Sequence, residues 1–193
     1  MKHFSKTVAV LSALLLAAAF IGCSNPNSSD DSGTSVSIDD CTTTATEVTF
    51  ADGNWSIKYV ITDDGMSGEA NIKATAADGN YTFTSGTGTQ TVDLSKMMDA
   101  DELTAFNAMT AEQKKAAIIE EMNAPENAEV TFNGNVVTIK AAMSTTDLAE
   151  MQKDMDLSTL PSSAVIKTNA DNTKYTINFT KSGITYAIYI SKD

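Results

Sequence analysis

Carboxylates are the groups in this chain that could do acid–base chemistry, and they cluster at Asp63-Asp64, at Asp99-x-Asp101-Glu102 and at Glu120-Glu121. A pair acting on a glycosidic bond has to converge to about 5 to 9.5 Å, which adjacency in sequence does not provide. Asp99, Asp101 and Glu102 suit the positive end of a helix, and Glu120-Glu121 suit a solvated helix face. A calcium ion over 99–102 would need about six to eight oxygen ligands, more than this loop offers, so no metal is expected. The chain contains no Arg, and its one histidine is His3. Ser-His-Asp and Cys-His activation, histidine-bound zinc and bidentate phosphate clamps therefore all fall away. The expectation is no catalytic residue, no cofactor and no enzyme.

Two further groups have soft chemistry. Cys41 follows Asp39 and Asp40, whose charges raise its thiol pKa and discourage a nucleophilic thiolate. The methionines crowd the middle and second half of the chain, at 97, 98, 109, 122, 143, 151 and 155. They suit gap-filling core, an adaptable apolar site or a copper(I) thioether site. If an apolar ligand is held, its lining is expected from Trp55, Met97, Met98, Met109, Met151 and Met155.

The elements that would position these residues show two periodicities. Period-two alternation runs through `WSIKYVIT`, `ANIKATA`, `YTFT`, `VVTIKAAM`, `YTINFT` and `ITYAIYI`, and turn residues such as `DDG`, `ADGN` and `NGN` separate them. One apolar and one wet face is the pattern of antiparallel strands joined by hairpins. Helical spacing appears in `DADELTAFNAMTAEQKKAAIIEEMNAP`, where Asp99 or Asp101 can cap one helix and Thr110-x-x-Gln113 makes a capping box for another, and again in `STTDLAEMQKDMDL`. The predicted fold class is α+β, a predominantly antiparallel β-sheet or partial barrel of eight to nine strands with two helical segments packed on it.

`EVTFADGNWSIK` (47–58) lies over `EVTFNGNVVTIK` (129–140) with six identities. This suggests two related β blocks, 46–92 and 127–193, joined by helices near 99–122. Cys23 and Cys41 are the only cysteines, so no disulfide framework is expected to support the domain over 46–193.

The N-terminus carries Lys2 and Lys6 and then an apolar run from Val8 to Gly22 that stops at Cys23. As a helix this run would span about 22 Å, short of a bilayer core of about 30 Å, and its layout is that of a secretory leader. Gly22-Cys23 resembles the end of a bacterial lipoprotein signal, in the relaxed, spirochaete-like form that has Phe20 where Leu is usual. The resemblance implies a signal peptide over 1–22 and a Cys23 that carries palmitate-type acyl chains. It also implies a lipid anchor in the cell membrane or outer membrane, with the domain outside the cytoplasm. Residues 23–45 are rich in Ser, Thr, Asn and Asp and read as a disordered tether.

Removal of the leader leaves 11 Lys against 25 acidic residues, a net charge of −14. Such a chain repels nucleic acid, so the expected partners are the membrane, through its anchor, and an unidentified protein or apolar ligand. Gly53-Asn54-Trp55 resembles the Gly-x-Trp that opens lipocalins, which implies a meander barrel carrying an apolar ligand. The functional expectation is a non-catalytic interaction or structural module of the cell envelope, with a lipocalin-like carrier as the alternative.

Overall fold

The computed structural model describes residues 40–155, 157 and 160–193. The expected signal peptide, Cys23 and the expected tether up to residue 39 lie outside the described residues.

The alternating segments become long strands: β2 (Gly53–Asp63), β3 (Met66–Ala77), β4 (Asn80–Asp93), β6 (Val136–Ala142), β8 (Lys174–Lys181) and β9 (Ile184–Lys192). Shorter strands join them: β1 (Thr43–Ala45), β5 (Glu129–Asn133) and β7 (Val165–Thr168). The two-residue turns Asp78-Gly79 and Ser182-Gly183 have positive φ at both positions, the twist that tight hairpins need. The order across the sheet is β1-β7-β8-β9-β2-β3-β4-β6-β5, antiparallel throughout.

This is a sheet-dominated α+β fold of nine strands, not closed into a barrel. The meander barrel implied by Gly53-Asn54-Trp55 is therefore not formed. The expected tether also ends earlier than residue 45, because Thr43–Ala45 pair with Ile166–Thr168. The two similar stretches do not pair alike. β2 lies between β3 and β9, whereas β6 lies between β4 and β5, and residues 47–50 form no strand although 129–133 do. Alternating Thr, Ile and Lys produce similar lettering in any half-buried strand.

Helices α1 (Leu94–Met97), α2 (Ala100–Asn107) and α3 (Ala111–Glu121) fill the connection from β4 to β5, and α4 (Thr145–Asp154) follows β6. Capping boxes start three of them, at Asp99/Glu102, Thr110/Gln113 and Ser144/Asp147. The helices help cover one face of the sheet in two places. Phe50, Trp55, Ile57, Ile72, Met151 and Ile190 belong to one buried cluster, under α4. Ile61, Val92, Phe106, Ile118, Ile139 and Tyr186 belong to another, under α1–α3. Strand register places Trp55, Ile57 and Ile61 on the same side of β2, so both clusters lie on one inner face.

Candidate functional site

The carboxylates do not converge. Asp64 pairs with Lys96, and Asp63 accepts the Asp64 amide at 2.8 Å. Asp99 accepts the Asp101 and Glu102 amides at 3.0 and 2.9 Å as a helix cap, and Glu120 and Glu121 are exposed. Among the described residues no group of three or more His, Cys, Asp or Glu is placed to hold a metal ion.

A Ser–Lys contact that no sequence motif announces lies on the outer face. Ser56 and Lys73 are cross-strand partners, Lys73 Nζ donates to Ser56 Oγ at 2.7 Å, and Ser56 donates to the Asp193 carboxylate. A nucleophilic dyad needs a neutral amine that accepts the hydroxyl proton. Here the ammonium donates, also pairs with Asp193 at 3.2 Å, and is half exposed. The group instead fastens the last residue, whose backbone N–H donates to Asn54 at 2.9 Å.

Cys41 is buried beside the β7–β8 turn, not displayed on a tether. Burial and the neighbouring Asp40 push its thiol pKa up, while Asp40 is itself held low by its hydrogen bond from Lys174.

The six residues expected to line an apolar site divide. Trp55, Met151 and Met155 pack in the cluster under α4, and Met97, Met98 and Met109 pack against the cluster under α1–α3. Trp55 is fully buried, meets Phe50 edge-on at 5.0 Å and donates its indole N–H to the Ala51 carbonyl at 2.9 Å. These contacts make it a core residue.

The seam between the two clusters contains a residue that no sequence pattern singles out. Gln90 on β4 is only 3% exposed, and neither Oε1 nor Nε2 has a hydrogen-bond partner. It faces inward, directly opposite Gly68 on β3 and Ile139 on β6. Tyr59, Phe179 and Tyr186 lie across the same face; Tyr59 and Phe179 touch both clusters. Phe179 and Tyr186 stack at 4.7 Å, and Tyr59 lies 6.3 Å from Tyr186. Burial pushes both phenols up, reinforced at Tyr59 by Tyr186 and Asp154 and at Tyr186 by Asp63. The seam thus offers one amide and two neutral phenols. These three groups can recognise a ligand by hydrogen bonding.

No protein-family model matches this chain, and no similar curated protein or solved structure was found. The functional reading therefore rests on the residues themselves.

Proposed function

We propose that this is a lipid-anchored cell-envelope protein whose domain binds a small, largely apolar ligand and does no chemistry on it. The observation that carries the binding part is Gln90, a buried side chain with uncommitted hydrogen-bonding atoms, which is an amide. An amide can donate and accept but does not ionise, so it selects a ligand without transforming it. The carboxylate clusters favour the same reading, because their best-placed members are occupied in a cap and an ion pair. Between the two forms of non-catalytic module expected from the sequence, Gln90 favours a small-ligand carrier over a protein-docking module. The large apolar side chains exposed among the described residues, Phe132 and Val165, lie on the separate strands β5 and β7 and do not make a patch.

The anchor part rests on Gly22-Cys23 and the apolar run before it. Its test is expression of the full chain in a lipoprotein-processing bacterium with labelled palmitate, followed by detergent-phase partition. The wild type is expected in the detergent phase with label, and Cys23→Ser in the aqueous phase without it. An unlabelled, aqueous wild type would overturn the anchor.

A further inference from the structure

The surroundings of Gln90 define what could pair with it. Along its own strand the inward neighbours are Gly88 and Val92, and across the strands they are Gly68 and Ile139. Two of these have no side chain and the other two are hydrocarbon, so none can meet either end of the amide. Beyond them Ala70 and Ala141 flank Gly88, and small residues lead from Gln90 along the seam toward Tyr59. Neither the row of the sheet that contains Gln90 nor the next, which contains Gly88, places a charged side chain on this face. The charge acting on Tyr59 from above is the Asp154 carboxylate, which is negative.

We infer that Gln90 is the polar end of a binding site for a neutral, slender, apolar molecule bearing a primary amide. This rests on the small-ligand reading above and names its chemistry. A primary amide has one N–H on the same side as its carbonyl, so it offers the carbonyl to Gln90 Nε2 and that N–H to Gln90 Oε1, and one ligand group satisfies both buried atoms. An ester satisfies only the donor. An ionised acid brings a negative charge against two rows of the sheet that carry no cation on this face to balance it. The small side chains of Gly68, Ala70, Gly88 and Ala141 favour an unbranched apolar body alongside the amide.

The test is calorimetric titration of the full-length protein in phosphatidylcholine nanodiscs, with empty nanodiscs as the blank. The probes are octanamide, methyl octanoate and octanoate. Octanamide is expected to bind about tenfold more tightly than either of the others. In Gln90→Met, a variant of matching length with no polar group to leave unsatisfied, the preference for amide over ester is expected to shrink to within about twofold. Three results would overturn the site: no heat above the blank for any probe, a preference that survives Gln90→Met, or octanoate as the tightest ligand. A protein that still partitions into detergent but binds nothing would sink this site and leave the lipid anchor standing. A protein that binds octanamide but is never acylated would do the reverse.

Discussion

A glutamine with both polar atoms buried and unpaired is unusual, because each group lost its water on folding and gained nothing in return. The net cost of such a group is about 1–3 kcal/mol. Gln90→Met should therefore raise the unfolding free energy of the ligand-free protein by about that much, measured by urea denaturation at unchanged m-value. A loss of stability would mean that the amide is already satisfied, for example by an internal water, and would remove the reason to assign it a ligand. Trp55 shows the opposite relation between sequence and site. Its type and its place at the start of a strand suggested a lining residue, yet its indole N–H is met by Ala51 and its ring by Phe50. Residue type was legible in the sequence at both positions; whether a partner waits in space was not.

The strands were legible because one face of each is dry, and the helices because Asp99, Thr110 and Ser144 begin them with recognisable caps. Gln90 was hidden by one irregularity of β4. Tyr81 and Phe83 face inward, and continued alternation would turn Ser85, Thr87, Thr89 and Thr91 inward as well. Instead the register against β3 slips between Lys73 and Ala74, so that Thr84 is extra and Gly86, Gly88, Gln90 and Val92 face the core. A bulge of one residue reverses every side chain beyond it, and no local pattern in `NYTFTSGTGTQTVD` marks where it falls.

β6 pairs with β4 only from Thr87 onward, so the stretch before it needs other partners on that side. Helix α4 supplies them: Gln152 accepts the Phe83 amide at 2.9 Å and donates to the Tyr81 carbonyl at 2.8 Å, while Tyr81 Oη donates to the Met155 carbonyl at 3.1 Å. Orientation of α4 depends in turn on its N-cap, where Ser144 accepts the Asp147 amide at 3.2 Å and Asp147 accepts the Ser144 amide at 2.7 Å. Ser144→Ala should cost about 1 kcal/mol, a fall in melting temperature of about 2–4 °C. A thermal melt that shows no fall would mean that packing of Leu148 and Met151 alone holds the helix in place.

Across the whole molecule the two β blocks suggested by sequence are interlocked. β9 is paired with β8 on one side and with β2 on the other, over eight residue pairs from Trp55–Lys192 to Thr62–Thr185. β6 is paired with β4, over seven. A break between α2 and α3 would take β9 and β6 away from the first block and leave β2 with a bare edge beside Ile57, Tyr59 and Ile61. The second piece would lose both of those pairings and the packing of Leu94 and Phe106 in the cluster under α1–α3. Neither piece would keep enough of either buried cluster to offset the entropy of ordering its chain. Fragments 40–109 and 110–193 should therefore each give an unfolded far-ultraviolet circular dichroism spectrum, and their equimolar mixture should recover the spectrum of the intact sheet. A fragment that melted cooperatively on its own would show instead that the β2–β9 and β4–β6 pairings join units already able to stand without them.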